Sequence, residues 1–179
     1  MTLRWKVPNG IRPTTKKTMQ VLFNTLRSHF GSFAGRRFLD LCAGSGAIGL
    51  TSLVEGFEET VLVEKSRVNC TVIRENSSRL KLDHKAKLIC TDVLKLKTVD
   101  LSLFDSIFLD PPYDQSTSSY LQMIGLSLDL LTEDGLLVIE CSRRNQSFLE
   151  NFVNSNLSPI KRKKIGETEL VFFEIEKLN

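Results

Sequence analysis

Hydrophobic positions along the chain alternate between two rhythms. Continuous short runs at Arg37 to Ala43, Thr60 to Lys65, Lys87 to Asp92, Ser106 to Asp110 and Leu136 to Cys141 are rich in Leu, Val, Ile and Phe, and most lie close to Gly, Asp or Pro. Runs of this length predict strands buried on both faces, as in a parallel sheet. Between them, core-facing positions recur at helical spacing: Leu50, Leu53 and Val54; Val72, Ile73, Asn76 and Leu80; Tyr120, Leu121, Ile124, Leu128 and Leu131; Phe148, Leu149 and Phe152. Such alternation predicts a doubly wound α/β sheet. One more helix is expected before the first strand, with Thr14 or Thr15 as N-cap and Met19, Leu22, Phe23, Leu26 and Phe30 on one face. At the other end, Pro159 to Ile165 and Glu169 to Ile175 are strand-like and separated only by Gly166, Glu167 and Thr168, which predicts a hairpin.

Length and composition narrow this. A chain of 179 residues with 41% hydrophobic content encloses one core, so residues 1–179 are expected to form a single domain. Residues 1–36 are its N-terminal extension and helix, and residues 37–179 its core. There is no run of about 18 apolar residues, and the segment with Arg4, Trp5 and Lys6 lacks the apolar stretch of a signal peptide, so no membrane partner and a cytoplasmic location are expected. Cys42, Cys70, Cys90 and Cys141 lie far apart with no Cys-x-x-Cys pair, and His29 and His84 are the only histidines. Buried reduced thiols are expected, and no metal site. No internal repeat or low-complexity segment is present.

The net charge of +3 conceals an asymmetry. Residues 1–39 carry Arg4, Lys6, Arg12, Lys16, Lys17, Arg27, Arg36 and Arg37 against no Asp or Glu, whereas the remainder carries sixteen basic and twenty-one acidic residues. A basic extension on an acidic body suits phosphate contacts, which supply sequence-independent affinity for nucleic acid. Arg4, Lys6, Arg12, Lys16 and Lys17 are therefore candidate RNA contacts; a soluble terminus is the plainer alternative. A second cluster, Lys161-Arg162-Lys163-Lys164, reads first as solvated lysine on a strand edge.

After the first strand, Asp40-Leu41-Cys42-Ala43-Gly44-Ser45-Gly46-Ala47-Ile48-Gly49 places Gly44, Gly46 and Gly49 in a G-x-G-x-x-G pattern. The glycines permit a tight turn and close approach of a ligand to the backbone, and the following helix adds its positive end. Alone, the pattern fits a dinucleotide as well as S-adenosylmethionine. Glu64 at the end of the second strand can accept from two ribose hydroxyls. Asp92 at the end of the third can meet an adenine amine, and Asp40 precedes the loop. Carboxylates at successive strand ends suit a sulfonium, although each one singly could be a cap or a solvated strand end.

Asp110-Pro111-Pro112-Tyr113 ends the fourth strand. Two prolines stiffen the backbone and withhold amide hydrogens, leaving carbonyls to point outward. The Asp110 carboxylate and a neighbouring carbonyl can accept both hydrogens of an exocyclic amine, and Tyr113 can stack on the attached base. Transfer to such an amine is an in-line displacement in which positioning and charge stabilisation dominate. A strand-ending turn is the plainer alternative for the proline pair.

An antiparallel last strand on an otherwise parallel seven-stranded sheet resembles the class I, Rossmann-like, S-adenosylmethionine-dependent methyltransferase fold. More specifically, Arg12-Pro13-Thr14-Thr15 with Leu22-Phe23-Asn24, Leu39-Asp40-Leu41 with Ala43-Gly44-Ser45-Gly46, Val63-Glu64-Lys65, Ile73-Arg74-Glu75-Asn76 and Phe108-Leu109-Asp110-Pro111-Pro112-Tyr113 resemble the RsmD family of 16S rRNA guanine-N2 methyltransferases. The resemblance implies S-adenosylmethionine as cofactor. It implies Asp40, Gly44, Ser45, Gly46, Glu64, Lys65, Asp92 and Val93 as its binding residues, and Asp110, Pro111, Pro112 and Tyr113 as the catalytic loop that receives guanine. It further implies a substrate in small-subunit ribosomal RNA; an assembling 30S subunit is the expected partner, since no target-recognition domain is evident, and a monomer is the default expectation. Lys16-Lys17 stand where the family usually has Asp-Arg, and Thr51 where a glutamate is common. Two rival readings are a DNA adenine-N6 methyltransferase, which generally carries a target-recognition domain, and an NAD-dependent oxidoreductase, which leaves the proline loop without a task.

Overall fold

The computed structural model describes residues 5–8, 14–98, 101–112, 115–142 and 157–175. Two compact units divide the chain, Met1–Leu96 and Lys97–Asn179.

The first unit opens with helix α1 (Lys16–Phe30), capped by the Thr15 side chain, whose Oγ1 accepts from the Thr18 amide at 3.1 Å. Leu22, Phe23 and Leu26 form its buried stripe, with Met19 and Phe30 at the margins. Three strands follow, β1 (Arg37–Leu41), β2 (Glu59–Glu64) and β3 (Ala86–Cys90), paired in parallel with β2 in the middle. Helices α2 (Ala47–Glu55) and α3 (Arg67–Leu80) are the crossovers. Parallel strands need such crossovers because a tight turn cannot return the chain in the same direction. Val54 sits 51% exposed on α2, so the expected apolar stripe there is narrower: Leu50 and Leu53 pack inward while Val54 faces solvent. Phe33 stacks on Phe57 with ring centres 4.3 Å apart, and Phe57 meets Phe38 edge-on. This aromatic cluster ties the turn after α1 to β1.

The second unit contains β4 (Phe104–Leu109), α4 (Thr117–Asp129), β5 (Leu131–Ser142), β6 (Leu157–Ile165) and β7 (Thr168–Ile175). Its strand order is β4-β5-β7-β6. β4 and β5 are parallel, while β7 runs antiparallel to both β5 and β6. The expected hairpin is therefore present, turning through Gly166 and Glu167. Leu131, expected at the end of a helix, instead begins β5, because α4 stops at Asp129 and Phe104 bonds across to Leu130. The expected helix around Phe148, Leu149 and Phe152 lies outside the described residues.

Seven strands, a mostly parallel arrangement and an antiparallel last strand make this the class I methyltransferase fold expected from the sequence. No helix among the described residues is long and apolar enough to cross a membrane.

Candidate functional site

β1 must hand the chain to α2 through a sharp turn, and its geometry is set by three polar side chains buried around it. Asp40, 2% exposed and the penultimate residue of β1, accepts from the Gly49 amide at 2.8 Å. Gly49 lies in the first turn of α2, where amides have no partner within the helix, so this carboxylate caps the helix from the strand beneath it. Burial pushes the Asp40 carboxyl up to about 7; the Gly49 amide opposes this and the Glu64 carboxylate adds to it. A Cβ on Gly49 would stand 2.7 Å from Leu62 Cδ2 and 3.1 Å from Asp40 Cβ, so only glycine lets α2 approach the sheet this closely.

Glu64, at the end of β2 and 6% exposed, accepts from the Gly44 amide at 2.8 Å and from the Ser66 amide at 2.7 Å. Asn76 of α3 is fully buried, and its Nδ2 donates to the Ser45 carbonyl at 3.0 Å and to the Lys6 carbonyl at 2.9 Å, while its Oδ1 accepts from the Lys6 amide at 3.0 Å. One amide thus fastens the glycine loop and the N-terminal segment together. Cys42 adopts φ +66°, a left-handed conformation that disfavours side chains, and Gly46 caps α2 at φ +76°. The strain at Cys42 turns the chain out of β1, which ends at Leu41 and not at the expected Ala43.

Asp92, after β3, caps a 3-10 turn over Val93–Lys95, its Oδ1 accepting from the Leu94 amide at 3.0 Å, and Val93 beside it is buried. Lys65 is exposed next to Glu64. The acids and glycines singled out for a donor in this unit therefore sit at or beyond the C-terminal ends of parallel strands, except Asp40, which lies within β1. In open α/β sheets that end is where ligands bind.

The fit to S-adenosylmethionine can be judged from the donor set. An ionised carboxylate offers roughly four lone-pair positions. Glu64 uses two on backbone amides and keeps capacity for ribose hydroxyls, and the second oxygen of half-buried Asp92 keeps capacity for an adenine amine. The residues present suit a nucleoside bearing a sulfonium.

The basic N-terminal region departs from a loose arm. Trp5 packs against the cluster of Ala43, Leu50, Leu62 and Ile73, and Lys6 pairs with Glu75 of α3. Arg27 pairs with Glu55 at 2.8 Å and lies 4.6 Å over the Phe33 ring; Arg36 lies 4.4 Å over Phe30; Arg37 pairs with Glu59. Of the five residues expected to contact RNA, Lys6 is thus engaged within its own unit. Lys16 and Lys17 are exposed in the first turn of α1, and Arg4 and Arg12 lie outside the described residues.

In the second unit, β4 delivers Asp110 at its C-terminal end, half-buried, followed by buried Pro111 and exposed Pro112. The Pro112 carbonyl accepts from the Gln115 amide at 3.2 Å, closing a tight turn before α4, which Ser116 caps. Tyr113 lies outside the described residues. Asp110 lies near the buried thiol of Cys141 on β5, which burial pushes up to about 12. Cys70 is buried and likewise pushed up to about 12, first by burial and then by Cys90; Cys90 itself is exposed, against the expectation of four buried thiols, and accepts from Arg74 at 3.3 Å. None of the four forms a disulfide. In the sequence Asn76 stands out only as a core-facing helical position, and an asparagine on such a face is the signal of its polar role.

The family model described as Conserved hypothetical protein 95 matches residues 2–174. The chain is 33% identical over 135 residues to YlbH of Bacillus subtilis, covering 74% of this chain and 72% of that protein. It is 26% identical over 170 residues to ribosomal RNA small subunit methyltransferase D of Escherichia coli, covering 93% and 81%. Among solved structures, the Escherichia coli protein yhhF superposes with TM-score 0.78 at 27% identity, over 96% of this chain and 91% of that one. The Thermus thermophilus protein TTHA0928 gives 0.77 at 30%, over 96% and 93%.

Proposed function

The chain belongs to the Conserved hypothetical protein 95 family, the RsmD-like RNA methyltransferases, and on that premise we propose that it methylates the exocyclic N2 amine of a guanine in small-subunit ribosomal RNA. Its cofactor is S-adenosylmethionine. The small-subunit RNA substrate draws on the E. coli relative's name, and the amine acceptor on one observation in this chain: Asp110-Pro111-Pro112 directly follows the C-terminal end of β4.

S-adenosylmethionine supplies a methyl carbon made electrophilic by the attached sulfonium. Glu64 and Asp92 hold its ribose and adenine, and the glycine loop, shaped by Asp40 and Asn76, admits it to the backbone. Asp110 and a carbonyl of the proline turn accept the two amine hydrogens and aim the nitrogen lone pair. As the methyl passes to nitrogen its bond to sulfur would break, leaving a neutral thioether, and the Asp110 carboxylate would stabilise the positive charge growing on nitrogen until the amine proton is lost to water. Tyr113 stacks on the guanine. Lys16 and Lys17, together with Arg4 and Arg12, add phosphate contacts. The substrate is an assembling 30S subunit, where an exposed RNA loop presents an unstacked base to a monomeric cytoplasmic enzyme.

The test is transfer of a tritium-labelled methyl group to modification-deficient 30S subunits, naked small-subunit RNA and duplex DNA. Label is expected in RNA, recovered as N2-methylguanine. Label in DNA alone, or in RNA at another atom, refutes the reading.

A further inference from the structure

Lys161, Arg162, Lys163 and Lys164 occupy β6, which stands at the edge of its sheet and, among the described residues, pairs only with β7. Arg162 is held by Glu169 at 3.4 Å. Lys161, Lys163 and Lys164 have no ion pair among the described residues, and Lys163 and Lys164 are exposed. The contrast with the N-terminal region is sharp, since Lys6, Arg27 and Arg37 have acidic partners there and Arg36 covers an aromatic ring.

The strand register shows where these lysines stand relative to the proline turn. Leu109, the residue before Asp110, is level with Ile139 on β5; Ile139 is level with Val171 on β7; and Val171 is level with Arg162 on β6. β7 is antiparallel to both β5 and β6, so β6 runs in the same direction as β4. Lys163 and Lys164 therefore lie at the same end of this unit's strands as Asp110. Three strand spacings separate them, about 14 Å sideways. That is a reach of a few nucleotides. Lys163 and Lys164 are exposed and, as neighbours along the strand, project from its two faces, so a backbone running along the edge of β6, with which no other described strand pairs, meets both.

We propose that the β6 edge is a docking surface for the phosphate backbone of the substrate RNA, with Lys161, Lys163 and Lys164 holding the strand a few nucleotides from the base received at Asp110. The inference rests on the RNA-methyltransferase reading above. The competing explanation is that edge lysines merely prevent sheet-to-sheet pairing, a common protection for exposed strands. That role requires charge of either sign, whereas phosphate binding requires positive charge.

The experiment uses the full chain and a transcript of unmodified small-subunit RNA. Three proteins are compared with wild type: Lys161→Gln/Lys163→Gln/Lys164→Gln, the charge-reversed Lys163→Glu/Lys164→Glu, and the control Lys87→Gln on β3. Each lysine that neutralises a phosphate of single-stranded RNA contributes about 0.7 to the slope of log affinity against log salt, so the triple variant should lose about 2 from that slope. RNA affinity should fall at least about tenfold near 0.1 M salt, and further in the charge-reversed protein. S-adenosylmethionine affinity and turnover at saturating RNA should match wild type, and Lys87→Gln should match in all respects. Unchanged RNA affinity and slope in both β6 variants overturns the docking surface while leaving the catalytic reading intact. A parallel loss of cofactor affinity marks a structural role and also overturns it. Wild type that methylates no RNA refutes the functional reading, and this inference with it.

Discussion

Around the glycine loop, the hydrogen bonds that shape the turn join residues well separated in sequence: Asp40 to Gly49 across nine positions, Glu64 to Gly44 across twenty, and Asn76 to Ser45 across thirty-one. In the Asp110 loop the constraint is local, with two consecutive prolines and a turn closed from Gln115 to Pro112. The first region is held by tertiary structure and contains buried charge. The second is held by covalent rings and keeps its carboxylate at the strand end. The glycine loop should therefore be sensitive in stability and cofactor affinity, and the proline loop in rate.

The strongest test of that division is Asp110→Ala. Methyl transfer should fall about 10²- to 10³-fold, the scale for losing one preorganised electrostatic partner of a developing charge. Cofactor affinity by titration calorimetry and thermal midpoint should stay at wild-type values. Retained turnover would remove Asp110 from the reaction.

Asp40 tests the other side through pH. Unfolded, its carboxyl ionises near the ordinary 3.8; folded, near 7. Between these values the native state keeps a proton that the unfolded state has released, so stability falls as pH rises from about 4 to about 7 and then levels. Asp40→Asn keeps an acceptor for the Gly49 amide and removes the titration. Relative to wild type it should gain roughly 4 kcal/mol between pH 4 and pH 8 in denaturant unfolding. Identical pH profiles for the two proteins would show that the carboxyl is not buried as described.

Asn76→Ala strips side-chain partners from the Ser45 carbonyl and from both backbone groups of Lys6. A loss of about 2–3 kcal/mol is expected, since buried groups are left unsatisfied. Cofactor affinity should weaken with it, and proteolysis near Trp5 should accelerate. Weakened stability with unchanged cofactor affinity would detach the N-terminal segment from the loop. The smallest effect is expected for Pro112→Ala, at about 0.4–1 kcal/mol, because Pro111 still restrains the turn. The rate should drop less than tenfold in the methyl-transfer assay; a drop equal to that of Asp110→Ala would place the loop's function in its rigidity and not its carboxylate.

The same contrast explains what could be read in advance. Strands, crossover helices and the terminal hairpin were legible because apolar runs, helical spacing and a short polar turn are local patterns. The two candidate loops were legible as loops for the same reason: Gly44 and Gly46 mark a turn after β1, and Asp110-Pro111-Pro112 stiffens its own backbone. Val54 and Leu131 were misplaced because a helical stripe does not show how wide the buried face is or where the helix stops. The basic N-terminus looked uniform as a string of charges. In the structure Lys6, Arg27, Arg36 and Arg37 are engaged by Glu75, Glu55, Phe30 and Glu59, while Lys163 and Lys164 of β6 are exposed.

Composition and spacing by themselves determined an α/β sheet and the order of its described strands and helices, since these depend on interactions between near neighbours in the chain; the glycine pattern alone left the ligand open, and the family resemblance pointed to methyl transfer. Tertiary structure decided which carboxylates are spent on the backbone, that Asn76 joins the N-terminal segment to the glycine loop, and which positive charges remain uncompensated. Those outcomes depend on desolvation and on partners tens of residues away, and neither is written in any local stretch of sequence.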